Sequence, residues 1–227
     1  MVTERARLVV TQRPRWLLVT FDRPVRACSW AIVGGGIVEA QHVAWLEIRN
    51  ADLGPDVDAR QLLIDRSRDE GIPLGIGLLT GRSVASYTEA TVTQHSMTAR
   101  CIATVGLSNA LRAGDPAALS PAIGTINLLA YVAVPLSDEG LIEASAIVTE
   151  AKCAVVLESG VQSCQSGRPA TGTGTDCVVV ACPGGEPLER RESYAGKHTV
   201  AGSMLGAAVE KAVGEGVRRW LVETGAQ

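Results

Sequence analysis

The sequence predicts an α+β fold: one layered domain over residues 1–227, a mixed β-sheet packed with a few helices, two of them long and in the C-terminal half. Three observations carry that prediction. The N-terminal part is rich in β-branched and aromatic residues and is broken by Pro14 and Pro24. The clearest helical periodicity comes late, where Leu141, Ala144, Val148, Ala151 and Val155 recur at spacings of three or four. The elements also fail to alternate strand with helix, as a doubly wound sheet would require. With 227 residues, 46% of them hydrophobic, the chain is long enough for a substantial core.

Taken in order, "RLVVT" (7–11), "RWLLVTF" (15–21) and "CSWAIV" (28–33) read as strands. "GGG" (34–36) forces a turn or a close backbone approach, and "HVAWLEIR" (42–49) resumes strand character. Asp58 can cap a helix over roughly 59–70, ended by Gly71 and Pro73. "LGIGLLT" (74–80) is a buried strand, and Tyr87 to Val105 makes a hairpin that includes His95. "GLSNALRAGDP" (106–116) is a loop, and "GTINLLAYVAV" (124–134) a second buried strand. Ser137 or Asp138 caps the long helix, and Gly160 closes it. "CVVVAC" (177–182) is a further strand. Leu205, Val209, Ala212 and Trp220 mark a terminal helix that Gly214 and Gly216 weaken.

Several function classes drop out on composition. Charged residues are 20% of the chain and the formal charge is −3, with no basic block of the kind nucleic-acid binders carry. The longest apolar runs, "INLLAYVAV" and "CVVVAC", fall far short of the ~20 residues that span a bilayer, so no membrane association is expected. The N-terminus lacks a signal-peptide pattern, and the expected location is cytoplasmic. Six cysteines form no CxxC pair, and three histidines are widely separated, so no metal site is expected. Copies of the chain could pair as a homo-oligomer through an exposed strand or the terminal helix, but no residue marks that surface.

The stretch "ATGTGTDCVVVA" (170–181) first suggests a phosphate cradle. It has no Lys-Ser/Thr pair after its second glycine, and Cys177 stands where a dinucleotide fingerprint needs glycine. A strand follows, so no helix N-terminus waits to hold an anion. What remains is a glycine-hinged run, Thr171, Gly172, Thr173, Gly174 and Thr175, ending in Asp176. Its hydroxyls either grip a ligand or bond their own backbone. "TVGLSNA" (104–110) adds Ser108 and Asn109, and "GTIN" (124–127) adds Thr125 and Asn127, at strand edges where amide side chains could polarise a carbonyl. Glu150 and Lys152 lie in the long helix. Two residues amount to about 200° around its axis, so they face opposite ways and only one can reach a cleft between helix and sheet. Lys197 and His198, in "YAGKHT" (194–199), precede the last helix, where an imidazole could serve as acid or base.

The ordered set "TVGLSNA", "GTINLLAYV", "TEAKCAVV", "SGRPATGTGTDCVVVA" and "YAGKHTVAGSMLGAAV" resembles the adenosylcobinamide amidohydrolase family. "GLLT" (77–80) and "GGG" also fall where that family has comparable stretches, and the resemblance covers about residues 30 to 215. It implies hydrolysis of the amide joining an aminopropanol arm to a corrin propionate, yielding adenosylcobyric acid and 1-amino-2-propanol in corrinoid salvage. The corrinoid would be the substrate, not a cofactor. On that reading Asp176 is the first choice for the base that activates water and Glu150 the second. His198 or Lys152 would protonate the departing nitrogen. Ser108, Asn109, Thr125, Asn127 and the 171–175 run would stabilise the oxyanion or grip the substrate's carboxamides. A covalent route through a threonine or a cysteine stays open, as do another amide or ester hydrolase activity and a non-catalytic corrinoid-binding role.

Overall fold

A computed structural model describes residues 6–54, 56–94, 97–117, 123–185 and 187–226. His95 lies outside the described residues. The strands are β1 (Leu8–Arg13), β2 (Trp16–Ser29), β3 (Gly36–Glu47), β4 (Ile76–Thr80), β5 (Thr88–Gln94), β6 (Met97–Val105), β7 (Ala110–Leu111), β8 (Ile126–Val132), β9 (Gly172–Thr173) and β10 (Cys177–Pro183). The helices are α1 (Ala59–Asp69), α2 (Asp138–Glu158) and α3 (Val200–Thr224). The α+β class read from the sequence is the class observed.

One mixed sheet runs β4-β3-β2-β10-β8-β6-β5, with β1 also paired to β2. The β3–β4 and β8–β10 pairs are parallel and the others in this sheet antiparallel. The sheet curls until its β4 edge returns across β8: Asn127 Nδ2 of β8 donates to the Leu79 carbonyl of β4 at 2.6 Å. Between the two halves lies a core that includes Phe21, Trp45, Leu78, Leu129, Tyr131 and Val179. The Phe21 and Tyr131 rings stand 5.5 Å apart there, a favourable separation for a tilted aromatic pair.

Helices close both outer faces. Helix α1, capped by Asp58 as read from the sequence, lays Leu63 on Trp16, Leu18, Ala44 and Leu46. Full burial of Leu63 contributes about 1.5–3 kcal/mol. Helices α2 and α3 cover the other half, bringing Leu141, Ala144, Val148, Leu205, Val209 and Ala212 against Val105, Leu128 and Val180. Ser137 caps α2 through Gly140 N–H at 3.2 Å, and Thr199 caps α3 through Gly202 N–H at 3.0 Å. Gly216, a weak point for helix propensity, packs directly on β6. A Cβ there would stand 2.9 Å from Val105 Cβ, so the missing side chain is what lets helix and strand meet.

Two strand readings change. Pro24 does not end a strand; β2 runs through it with a register shift between Thr20 and Val25. β1 pairs β2 up to Phe21 and β10 pairs it from Val25, so Pro24 falls in the gap where no ladder N–H is needed. "CSWAIV" stops being a strand after Ser29, because Ser29 Oγ accepts from Ala31 N–H at 3.0 Å and turns the chain.

Candidate active site

The parallel strands β8 and β10 begin side by side, with Asn127 opposite Cys177. β6 ends at the same edge of the sheet, Thr104 facing Asn127, and β4 ends there at Thr80. The loops beyond these ends carry the glycine- and threonine-rich run. The short β7–β9 pair ties that run to the Asn109 loop, with Ala110 opposite Thr173.

Asp176 stands just before β10 and its carboxylate accepts four hydrogen bonds. Oδ1 accepts from Ile126 N–H at 3.0 Å and from the Thr173 hydroxyl at 2.5 Å. Oδ2 accepts from Thr173 N–H at 3.1 Å and from Lys152 Nζ. Lys152 and Asp176 are 7% and 10% exposed, a buried ion pair. Lys152 reaches it from the inward stripe of α2, beside Ala144, Val148 and Val155. Gly172 lies directly against the pair, and any Cβ at that position would collide with both Asp176 Oδ2 and Lys152 Nζ. Its glycine identity is thus set by close approach.

Beside Asp176 opens a cavity of about 840 Å3. Its polar side is formed by Asn109, Thr125, Asn127, Gly174, Thr175 and Asp176. Its apolar side includes Trp30, Ile32, Ile48, Leu53, Leu78, Leu79 and Ile123. Thr175 donates to the Gly124 carbonyl at 3.1 Å, which leaves Thr125 as the donor in its 2.5 Å contact with Thr175 Oγ1. The side-chain oxygens of Asn109 and Asn127 are buried without a hydrogen-bond partner. Such groups are costly unless something completes them. Both are acceptors, suited to a ligand N–H; a substrate oxyanion needs donors instead, and Asn127 already commits Nδ2 to Leu79.

Cys177 also lines the cavity, but burial pushes its thiol up to about 11, with the Asp176 charge adding to the rise and the Ser29 hydroxyl opposing it. At neutral pH it is a thiol and a poor nucleophile. No group of three or more His, Cys, Asp or Glu among the described residues is arranged to hold a metal ion. No helix among them is long and apolar enough to cross a membrane.

The structure therefore brings Asp176, Lys152, Gly172 and Thr173 into one cluster and Asn109, Thr125, Asn127, Gly174 and Thr175 onto the cavity beside it. It does not bring in the rest. Glu150 points away from Lys152 and pairs with Lys197 at the surface, where the two are 56% and 72% exposed. His198 is exposed in the loop before α3 and does not line the cavity. Ser108 lines a separate cavity with Trp220 and Cys164. Thr171 staples the loop, its Oγ1 accepting from Ala113 N–H at 2.8 Å. Trp30, which the sequence places in a strand, lies on the cavity wall; the "GGG" turn that follows is the available signal.

A model of the adenosylcobinamide amidohydrolase family matches residues 1–225. The chain belongs to that family. An adenosylcobinamide amidohydrolase of Halobacterium salinarum is 38% identical over 134 residues, which are 53% of this chain and 52% of that protein. An uncharacterized protein of Methanocaldococcus jannaschii is 35% identical over 92 residues, 40% of this chain and 34% of its own length. The chain thus matches about half or less of the length of these curated relatives. Among solved structures, a Pyrococcus horikoshii protein aligns at a TM-score of 0.46 and 14% identity, covering 96% of this chain and 83% of its own. An L-aminopeptidase D-Ala-esterase/amidase from Ochrobactrum anthropi aligns at 0.41 and 12%, covering 93% and 82%.

Proposed function

We propose that this chain hydrolyses the amide linking the aminopropanol arm of adenosylcobinamide to its corrin propionate, releasing adenosylcobyric acid and 1-amino-2-propanol for corrinoid salvage. The observation that carries the chemistry is that Asp176 is, among the described residues, the one carboxylate on the wall of a cavity they otherwise line with neutral groups. Family membership supplies the substrate, and the unpartnered Asn109 and Asn127 oxygens suit its carboxamide N–H groups.

In this reading Asp176 takes a proton from the attacking water as its oxygen bonds to the amide carbon. The tetrahedral adduct collapses, the C–N bond breaks, and the same carboxyl returns the proton to the departing nitrogen. Lys152 keeps the carboxylate in place and balances its charge. No cofactor takes part; the corrinoid is substrate only. Binding through neutral acceptors and hydroxyls suits a molecule fringed with uncharged amides.

A covalent route has one observation in its favour, the 2.5 Å hydrogen bond that already directs the Thr173 proton onto Asp176 Oδ1. Thr173→Val separates the two. Retained turnover supports direct attack by water, whereas its loss, together with an acyl adduct seen by rapid-quench mass spectrometry only in the parent enzyme, supports the covalent path. The activity is tested by incubating the protein with adenosylcobinamide, with and without a chelator, and following adenosylcobyric acid by mass spectrometry. Asp176→Asn is expected to bind the substrate and not cleave it; full turnover by that variant overturns the assignment.

A further inference from the structure

We propose that Trp30 is the platform against which the substrate's macrocycle packs, so that it sets affinity for the corrinoid body while Asp176 acts on the arm; this rests on the corrinoid reading above. Trp30 is 54% exposed, and Ile32 beside it 38%. A large exposed aromatic gains nothing for the fold from its outer face, and exposed apolar surface concentrated at a cavity mouth marks a binding surface.

The ring is also held still. Its Nε1–H donates to the Asp176 carbonyl at 2.7 Å. The preceding Ser29 is bound to β10 through the Val178 carbonyl at 2.9 Å. The following Val33 exchanges backbone hydrogen bonds with Gly77 of β4, at 3.0 and 3.4 Å. A rigid aromatic loses little freedom on binding, which is what makes such a surface an effective anchor.

The chemistry of the wall narrows the occupant. Among the described residues no Lys, Arg or His lines the cavity, so the wall offers no counter-charge to an anionic body. About 840 Å3 is also far more room than an aminopropanol arm fills, and it lies in the range of pockets that enclose drug-sized ligands. A broad, flat group without negative charge, attached to the reacting arm, meets both conditions. The Trp30 bond to the Asp176 backbone carbonyl puts the platform and the proposed reacting carboxylate on the same wall of the cavity.

Trp30→Ala and Trp30→Phe separate the ring from its N–H. Both variants lose the hydrogen bond to Asp176, so both are expected to lower kcat by a similar, modest factor. Only Trp30→Ala is expected to raise KM for adenosylcobinamide, by about tenfold to a hundredfold, the scale of losing one aromatic stacking partner. Binding to the Asp176→Asn protein, followed by equilibrium dialysis, should weaken by the same factor when Trp30→Ala is added. Melting temperatures should fall only slightly below the parent's, since the ring is half in solvent and its loss removes one hydrogen bond. If the parent cleaves adenosylcobinamide and Trp30→Ala leaves KM and binding unchanged, the platform is overturned and the hydrolase reading stands. If the parent binds without cleaving and binding still depends on the ring, the hydrolase reading falls and the platform stands. If the parent neither binds nor cleaves, both fall.

Discussion

Helix α2 carries two charged residues two positions apart, and they end in opposite settings. Glu150 meets Lys197 in solvent, with the pair 56% and 72% exposed. Lys152 meets Asp176 in the interior, with the pair 7% and 10% exposed. The first is an ordinary surface contact, worth at most about 1 kcal/mol. The second has given up hydration, at several kcal/mol per ion, and recovers it only through close geometry and extra hydrogen bonds. Asp176 has those bonds: two backbone N–H groups, one hydroxyl and the Lys152 ammonium. A well-packed apolar pair would serve stability as well, so charges at this depth favour a chemical role over a structural one.

The largest effect should come from breaking the buried pair on one side. Lys152→Met leaves a carboxylate buried without its counter-charge and is expected to cost about 3–5 kcal/mol, read from urea unfolding, and to abolish turnover. Lys152→Met combined with Asp176→Asn removes both charges and should regain part of that stability while staying inactive. If the single variant costs no more than a surface change, the contrast between the two pairs is lost. Gly172→Ala comes next. Its methyl group must displace Asp176 Oδ2 or Lys152 Nζ, a strain of about 1–3 kcal/mol. Turnover should fall further than stability does, because the displaced atoms belong to the proposed machinery.

A third test asks whether the loop behind the site depends on the charge of a single carboxylate, Asp115. Asp115 accepts from Ser163 Oγ at 2.5 Å, from Arg112 N–H at 3.0 Å and from Arg168 at 3.1 Å. These bonds, the Ser163 one foremost, hold its carboxyl well below the usual carboxylate range. A depressed value means the stabilisation is complete above the unfolded value, ~3.9, and is lost as pH falls below it. Asp115→Asn should therefore melt below the parent at neutral pH, and the difference should shrink as the solution is acidified through that window. A gap that persists unchanged in acid would show that the carboxylate charge is not what clamps residues 163–168 to residues 112–115.

Much of this arrangement was legible before any coordinates, and the reasons for the remainder are physical. The helical angle between Glu150 and Lys152 set them about 200° apart, so they could not face the same way. They do not: Lys152 lies in the buried stripe and Glu150 in solvent. What periodicity could not convey was which side faced β10, because that depends on a strand 24 residues further on in the chain. Asn109 and Asn127 were visible as polar residues at strand edges. That Asn127 would offer an acceptor was set by Leu79, whose carbonyl takes an Asn127 N–H only because the sheet curls back on itself. Trp30 was hidden for the opposite reason: its neighbours have strand propensity, and the Ser29 hydroxyl that ends the strand is a tertiary detail. Pro24 misled because one strand, β2, has two partners along the same edge, a topology that no local rule foresees.

The smallest expected effect is the control that gives the comparison its meaning. Glu150→Gln with Lys197→Gln removes the exposed pair without touching Asp176, Lys152 or the cavity wall. Stability should change by less than about 1 kcal/mol, and kcat and KM for adenosylcobinamide should stay at the parent values. Added salt should shrink even that difference, since screening at ~0.15 M already acts over about 8 Å in solvent. A large loss of turnover in this double variant would mean that the α2–α3 surface reaches the reaction after all. The buried and exposed pairs would then be parts of one charge network, not two lysine–carboxylate contacts separated by the thickness of a helix.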